Sequence, residues 1–134
     1  MQFINADIRD ADTLNKIFIE FKPETVIHFT GLKAVGEIVI MPLKYFNANI
    51  IGFISLLESM DRYGCMNIVF SSIATVYGNA DYLPYDEKYL NDEKYLTNPI
   101  NPYGRTKLMV EKIVSYWTEV DNSRRGIVLS ILIL

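Results

Sequence analysis

The sequence predicts an α/β fold built on a mostly parallel β-sheet with helices on both faces. Short runs of β-branched and apolar residues alternate with amphipathic helical patterns. Each run is predominantly apolar, without the regular polar alternation of a half-exposed strand, which is typical of strands covered on both faces. Strands that alternate with helices need crossover connections and therefore run parallel. The 134 residues, half of them hydrophobic, are enough for one small domain, residues 1–134, with its own core.

The chain is expected to begin with the end of a strand and a helix. Residues 2–4 are a short apolar run followed by turn-like residues, and we interpret them as a strand end. A helix is predicted at residues 11–21, capped by Asp10 or Asp12. Its apolar residues recur on one face: Leu14, Ile17, Phe18 and Phe21.

A buried strand at residues 25–29, a loop at 30–37 and a long helix are predicted next. Pro42 suits the first position of that helix, which is expected to run to about residue 63. Gly64 is a natural helix end. Gly52 interrupts the helical pattern and marks either close packing or a later helix start.

The second half of the chain repeats the alternation of strand and helix. Residues 67–70 and 127–134 are predicted strands, and a helix is predicted at residues 103–120. Between them, residues 73–98 form a polar, aromatic loop that is long enough to suggest a functional role.

Composition excludes several classes of protein. The net charge of −3 gives no basic excess for binding nucleic acid. The single cysteine, Cys65, rules out an internal disulfide framework and a thiolate-rich metal site. The longest apolar run, residues 127–134, is too short to span a bilayer as a helix, and the N-terminus does not have the pattern of a signal peptide. We therefore expect a cytoplasmic protein that binds neither nucleic acid nor membranes.

Tyr103 and Lys107 are the pair most suggestive of catalysis. Residues four apart on a helix lie on the same face, so both side chains can point at one place. An ammonium beside a phenol favours the phenolate and lowers the pKa of the tyrosine, which could then act as a general base. The pair alone is a weak signal, because Tyr-x-x-x-Lys is common in ordinary helices.

Other polar residues follow the predicted strands. Ligands of parallel α/β sheets gather beyond the carboxyl ends of the strands. The residues expected near that edge are Asp7, Gly31 with Lys33, Ser71 with Ser72, and Tyr103. Their convergence raises the expectation of a site well above that from the Tyr–Lys pair.

Three segments resemble the UDP-glucose 4-epimerase (UDP-galactose 4-epimerase) family, in the extended short-chain dehydrogenase/reductase group. Residues 26–37 read VIHFTGLKAVGE, residues 70–78 read FSSIATVYG, and residues 101–111 read NPYGRTKLMVE. Their order and spacing resemble the family's throughout, over nearly the whole chain. The LKAVGE run is specific to the epimerases, whereas the other two segments are shared more widely.

The resemblance implies a partial Rossmann-like domain, a tightly held NAD and transient oxidation of a UDP-glucose or UDP-galactose sugar, in galactose metabolism. Tyr103 would take the proton from the sugar 4-hydroxyl, and Lys107 would hold the nicotinamide ribose and lower the pKa of Tyr103. The implied cofactor-binding residues are Asp7, Ile8, Phe29, Thr30, Gly31, Lys33, Asn49, Tyr103 and Lys107. Thr75, with Tyr103, would lie near the sugar, whereas His28 is interpreted as a packing residue.

This sequence departs from the family pattern in three ways. Ile73 stands where the family has its catalytic serine, and isoleucine can neither donate nor accept a hydrogen bond. The family's Gly-x-x-Gly-x-x-Gly turn is absent, so its first βαβ unit would precede Met1. The chain stops in the final strand, before most of the substrate domain. We therefore expect an inactive, marginally stable fragment that exposes the apolar edge of strand 25–29.

Two alternatives remain open from the sequence. One is another NAD-dependent sugar-nucleotide epimerase or dehydratase, which the LKAVGE run disfavours. The other is a non-catalytic remnant that pairs with a full-length epimerase through its two long helices, which form the dimer in the family. Ile73 favours the remnant, and the intact Tyr103–Lys107 pair disfavours it. By the same resemblance, the chain itself could form a homodimer through these helices.

Overall fold

A parallel sheet organises the parts of the chain that the computed structural model describes, residues 2–73 and 102–131. Its strands within these ranges are β1 (Thr25–His28), β2 (Asn67–Ile73) and β3 (Arg125–Ile131), in the order β1-β2-β3. Both neighbouring pairs are parallel, and Ile27, Val69 and Ile127 lie in register across the sheet. The prediction of an α/β fold with a parallel sheet is confirmed.

The described helices connect these strands. They are α1 (Ala11–Phe21), α2 (Val35–Ile40), α3 (Pro42–Phe46), α4 (Gly52–Tyr63) and α5 (Pro102–Glu119), with a π-helical segment at Asn47–Ile51 between α3 and α4. No helix in these ranges is long and apolar enough to cross a membrane.

The helix ends follow local chemistry. Asp10 caps α1, because its carboxylate accepts a hydrogen bond from the backbone N–H of Thr13 at 3.1 Å. This settles the choice between Asp10 and Asp12. Gly64 ends α4 in the left-handed conformation, with φ at 74°, as expected for a glycine after a helix.

The main core joins α1, α4 and α5 to one face of the sheet. Its buried residues include Phe18, Phe53, Ile68, Phe70, Val110 and Trp117. Gly126 in β3 allows α5 to approach closely, because a Cβ at this position would lie 2.5 Å from Cγ1 of Val114. Ile27 and Ile127, which lie in register on the outer strands of the described sheet, are more than half exposed to solvent. As expected, β1 forms an edge of the described sheet.

The predicted strand at residues 2–4 is wrong. These residues belong to no strand, and the side chain of Phe3 is 85% exposed. An extended apolar segment becomes a strand only when a neighbouring strand takes up its backbone hydrogen bonds, and no described strand pairs with this one.

The structure also corrects several boundaries. The predicted loop at 30–37 already contains the start of α2 at Val35. The predicted helix at 42–63 consists of α3, the π-helical segment and α4. Strand β2 continues to Ile73, and β3 begins two residues early, at Arg125. Nearly all of the predicted loop at 73–98, with Thr75, lies outside the described residues, as do residues 132–134.

Candidate functional site

Asn49 binds the loop that follows β1. Its side-chain Oδ1 accepts a hydrogen bond from the backbone N–H of Leu32 at 2.8 Å, and its Nδ2 donates to the carbonyl of Leu32 at 3.0 Å. Nδ2 also lies 3.4 Å from Oγ1 of Thr106, which is fully buried in α5. Asn49 therefore joins the end of β1, the π-helical segment and α5. Such π-helical segments often occur at functional sites.

Gly31 allows this arrangement because its backbone has φ at 149° and lies against the Asn49 amide. A Cβ at Gly31 would come within 3.3 Å of Oδ1 of Asn49. Any other residue here would be strained in φ and crowded by the amide.

A cavity of about 390 Å³ opens beside the Asn49–Leu32 contact. Five residues predicted to bind the cofactor line it: Asp7, Ile8, Thr30, Gly31 and Asn49. Its other lining residues are Ala6, Arg9, His28, Leu32, Lys44 and Ala48. The structure thus brings together five of the nine predicted cofactor-binding residues in one cleft at the carboxyl end of β1.

Asp7 is fixed at the mouth of this cavity by Arg9. The guanidinium donates to both carboxylate oxygens of Asp7, with Nε 2.9 Å from Oδ1. These hydrogen bonds and the adjacent positive charge lower the pKa of Asp7 to about 2. The neighbouring Ile8 packs over the start of α4, where a Cβ at Gly52 would lie 2.5 Å from its Cγ2. Gly52 therefore marks close packing, within a helical run that already begins at Pro42.

Tyr103 and Lys107 lie in the first two turns of α5 and face the same region. Their side chains are 9% and 7% exposed, and Nζ of Lys107 is 6.0 Å from the centre of the Tyr103 ring. The ammonium donates to the carbonyl of Ser71 at 2.9 Å and lies 4.7 Å from the centre of the Phe70 ring. The predicted shared face is confirmed, with Lys107 bound to the carboxyl end of β2.

The expected lowering of the pKa of Tyr103 is not found in this structure. Burial raises the pKa of the phenol, because a phenolate loses hydration in the interior. Burial also lowers the pKa of Lys107, and the nearby Glu111 carboxylate opposes this effect. Burial decides the direction of this shift, while Lys107 donates to the Ser71 carbonyl and lies 6.0 Å from the centre of the Tyr103 ring.

Ser72 and Ile73, at the end of β2, have different surroundings. The buried hydroxyl of Ser72 donates a hydrogen bond to the carboxylate of Glu111. Ile73 packs against a small apolar cluster that contains Ile38, Tyr45 and Tyr103. Ser72 is thus engaged with α5, and the position that carries a serine in the resembling family holds a hydrocarbon side chain beside the Tyr103 cluster.

His28 is buried between aromatic rings, as its position in an apolar strand suggested. Its ring centre lies 5.1 Å from that of Phe53 and 5.8 Å from that of Phe70. Burial, and to a lesser extent the charge of Lys107, lowers the pKa of His28 to about 4. His28 is therefore neutral near pH 7.

Besides Tyr103 and Lys107, two predicted cofactor-binding residues do not line the cavity. Phe29 is 66% exposed, and neither it nor the exposed Lys33 lines the cleft. Phe29 is thus not a core residue, and the cofactor-binding role of both residues stays a prediction.

Sequence reasoning missed three polar residues of this region: Arg9, Thr106 and Glu111. Glu111 carried a visible signal, since it continues the spacing of four residues from Tyr103 to Lys107. Thr106 contacts Asn49, and Arg9 contacts Asn47, across long stretches of sequence, so neither contact could be read from local spacing.

Comparison with known proteins bears out the resemblance seen in the sequence. The family model described as GDP-mannose 4,6 dehydratase matches residues 1–131. UDP-glucose 4-epimerase 2 of Arabidopsis thaliana is 52% identical over 116 residues, which cover 84% of this chain and 31% of that protein. The chain thus spans about a third of the length of the curated relatives it matches.

Solved structures show the same fold. The UDP-glucose 4-epimerase of Stenotrophomonas maltophila, with bound NAD and formylated UDP-arabinopyranose, has a TM-score of 0.84 at 40% identity, covering 96% of this chain and 36% of that one. The Bifidobacterium longum enzyme, in complex with NAD+ and UDP, has a TM-score of 0.82 at 36% identity, covering 95% and 36%. The chain therefore belongs to the GDP-mannose 4,6-dehydratase family, and the relatives it matches there include UDP-glucose 4-epimerases.

Proposed function

We propose that this chain is the NAD-binding and proton-transfer segment of an enzyme that interconverts UDP-glucose and UDP-galactose, in galactose metabolism. One observation carries the proposal. The buried Tyr103–Lys107 pair lies at the carboxyl end of β2, joined through Thr106 and Asn49 to a cleft lined by Asp7, Ile8, Thr30 and Gly31. The epimerase relatives support the same reading.

The cleft fits the adenine end of a dinucleotide. Asp7 stays ionised at neutral pH, so its carboxylate can accept hydrogen bonds from hydroxyl or amino groups, and Ile8 offers an apolar surface to a flat base. The close backbone at Gly31 and the Asn49 amide shape the adjoining wall. Phe29, Thr30 and Lys33 would contact the cofactor along the same loop. When bound, NAD supplies a nicotinamide that accepts a hydride and returns it.

Tyr103 and Lys107 would carry the proton chemistry. The phenolate of Tyr103 takes the proton of the sugar 4-hydroxyl and returns it after the 4-keto sugar has turned over. Since burial raises the pKa of Tyr103, this role needs positive charge close to the phenol in the working site. Lys107 is the buried cation on the same face, and it would also hold the nicotinamide ribose.

Ile73 is expected to weaken this chemistry. A serine at that position would hydrogen-bond the sugar oxygen, whereas isoleucine cannot. Losing one hydrogen bond that acts in the transition state costs on the order of 10²–10³ in rate. Ser72 cannot easily replace it, because its hydroxyl is already donated to Glu111. We therefore propose that turnover by this chain is at or below the limit of detection.

The test combines cofactor binding with turnover. NAD+ is titrated into the chain by calorimetry, with Asn49→Leu as the variant that breaks the cleft. Binding that is lost in Asn49→Leu supports the proposed cofactor site, and no binding to either protein argues against it. Turnover of UDP-galactose is then compared between the wild-type chain and Ile73→Ser, with Ile73→Ser/Tyr103→Phe as the inactive control. GDP-mannose, offered in parallel, tests for a dehydratase.

A second function, as a non-catalytic partner of an epimerase or of a second copy of this chain, is favoured by Ile73 and by an apolar groove. The groove, of about 380 Å³, lies between α4 and α5 and is lined by Ile54, Leu57, Ile113, Tyr116, Trp117 and Val120 among others. Light scattering of the wild-type chain and of Val120→Glu would detect such an association. A mass that stays monomeric at high concentration would argue against self-association.

We place the chain in the cytoplasm, a location that the free thiol of Cys65 supports.

A further inference from the structure

Helix α5 presents three ionisable side chains at intervals of four residues: Tyr103, Lys107 and Glu111. Such spacing places them one turn apart on the same face. The proposed function uses the first two, and it leaves the acid without a role. Glu111 is nevertheless half-buried, and burial raises the pKa of its carboxyl group. A carboxylate in such a position costs free energy unless it is compensated by partners.

Adjacent residues at the end of β2 bind Glu111 and Lys107. Ser72 donates its hydroxyl hydrogen bond to the Glu111 carboxylate, and the adjacent Ser71 accepts, through its carbonyl, the hydrogen bond from Lys107. Two adjacent residues of β2 therefore bind two successive turns of α5. These two hydrogen bonds fix the Lys107 ammonium relative to the end of the strand.

Glu111 is the acid that acts on Lys107 within the described residues. From β1, the lysine faces His28, which is neutral near pH 7. From β2 it faces the Phe70 ring and the Ser71 carbonyl, neither of which carries a charge. From its own helix it faces Tyr103, which burial keeps neutral, and Glu111, whose negative charge favours the ammonium.

We propose that Glu111 is a positioning residue, which keeps Lys107 charged and aimed at the end of β2 by means of its own charge and its hydrogen bond from Ser72. The inference rests on the proposed function for its purpose, since a charged Lys107 is what that chemistry requires. The arrangement itself can be measured without cofactor or substrate.

The experiment measures the pKa of the Lys107 ammonium by NMR in the 134-residue chain labelled with ¹³C and ¹⁵N at lysine. Loss of one signal in Lys107→Met assigns the resonance. Glu111→Gln keeps the shape and the acceptor for Ser72 but removes the charge. A nearby opposite charge favours the charged form of a titratable group. We therefore expect the pKa of Lys107 to be lower in Glu111→Gln than in the wild-type chain.

Glu119→Gln is the matched control. It makes the same change on the same helix, at an exposed side chain that accepts a hydrogen bond from Ser115. The pKa of Lys107 should not change in this variant. An unchanged pKa of Lys107 in Glu111→Gln would overturn the proposal.

If Glu111→Gln does not fold, Ser72→Ala gives a second measurement. It frees the Glu111 carboxylate without removing its charge, so the pKa of Lys107 should fall by a smaller amount, and no fall would again overturn the proposal. The pKa measurement and the test of NAD+ binding can fail independently of each other. A chain that binds no NAD+ but shows the shift refutes only the proposed function, whereas a chain that binds NAD+ without the shift refutes only the role of Glu111.

Discussion

Asn49 holds both backbone polar groups of Leu32 with the two ends of one side-chain amide, at 2.8 and 3.0 Å. Asn49 is buried, so a side chain without polar atoms would leave these groups unpaired. We expect Asn49→Leu to lower the free energy of unfolding by about 1–3 kcal/mol, which is the cost of an unsatisfied buried polar group. Urea denaturation would show this as a lower midpoint with an unchanged slope.

Asn47→Ala is the control for this prediction. Asn47 lies in the same π-helical segment, but it is exposed and accepts its hydrogen bond from the exposed Arg9. Its removal should change the free energy of unfolding by no more than about 0.5 kcal/mol. If both substitutions lowered the free energy of unfolding equally, the π-helical segment would be sensitive to any substitution. The Asn49–Leu32 hydrogen bonds would then make no particular contribution to stability.

Gly52 is required by packing rather than by backbone conformation. It begins α4 with ordinary helical angles, yet a Cβ there would lie 2.5 Å from Cγ2 of Ile8. In a free helix, Gly→Ala gains about 1 kcal/mol. Here overpacking, which costs about 1–3 kcal/mol, should outweigh that gain. We expect Gly52→Ala to lower the thermal midpoint in calorimetry.

Gly36→Ala is the matched comparison, because Gly36 lies in helix α2 and a Cβ there meets nothing within 4 Å. This substitution should leave the thermal midpoint unchanged or raise it. In addition, Ile8→Ala should remove most of the penalty of Gly52→Ala. A penalty that persists in the double variant would place the clash elsewhere.

Much of the fold could be predicted from local sequence. Asp10, Pro42 and Gly64 mark helix ends through chemistry that acts within a few residues. The strand at residues 2–4 could not be judged in this way, because pairing depends on a neighbour that a local pattern does not reveal. The π-helical segment was also invisible, since the contacts of Asn49 with Leu32 and Thr106 join residues distant in sequence.

The candidate site shows the same limit. The shared face of Tyr103 and Lys107 follows from helical spacing alone. The direction of the pKa shift of Tyr103 does not, because it depends on how deeply the fold buries the phenol. Glu111 is the instructive case: its spacing was visible, but its role depends on Ser72, 39 positions away along the chain.

Asp61 joins α4 to α5 and to the turn before β3. It accepts hydrogen bonds from Nε1 of Trp117 at 2.9 Å and forms an ion pair with Arg124 at 3.1 Å. The guanidinium also lies over the Trp117 ring, 5.0 Å from its centre. Asp61→Ala would leave the indole N–H without its acceptor. The partly buried guanidinium of Arg124 would lose its closer carboxylate and keep only the Trp117 carbonyl at 3.0 Å and the Asp121 carboxylate at 4.0 Å. We expect a loss of about 2–3 kcal/mol in the free energy of unfolding, measured by urea denaturation.

Lys44→Ala provides the contrast for Asp61→Ala. Lys44 and Glu37 form a shorter ion pair, at 2.6 Å, but both side chains are well exposed to water. Such pairs contribute about 0–1 kcal/mol. A loss in Asp61→Ala no larger than that in Lys44→Ala would show that burial of the Asp61 network adds nothing to stability.

His28 should make the stability of the fold depend on pH. Its pKa is about 4 in the folded chain and 6.5 as a free side chain, because the buried imidazole resists protonation. The unfolded state therefore binds more protons between these values, so stability is full above about pH 6.5 and falls as the pH drops towards 4. Since one pKa unit corresponds to 1.36 kcal/mol, the loss should reach about 3 kcal/mol. Urea denaturation at several pH values measures it.

His28→Gln isolates this contribution. Glu111 titrates in the opposite sense: burial raises its pKa, so the folded state binds the extra proton and gains stability as the pH falls. The difference between the wild-type chain and His28→Gln cancels this term and those of the exposed acids. That difference should shrink steadily from pH 6.5 to pH 4 as the histidine loses its advantage. A difference that stays constant over this range would mean that His28 titrates normally, and that the Phe53 and Phe70 rings do not shield it from water.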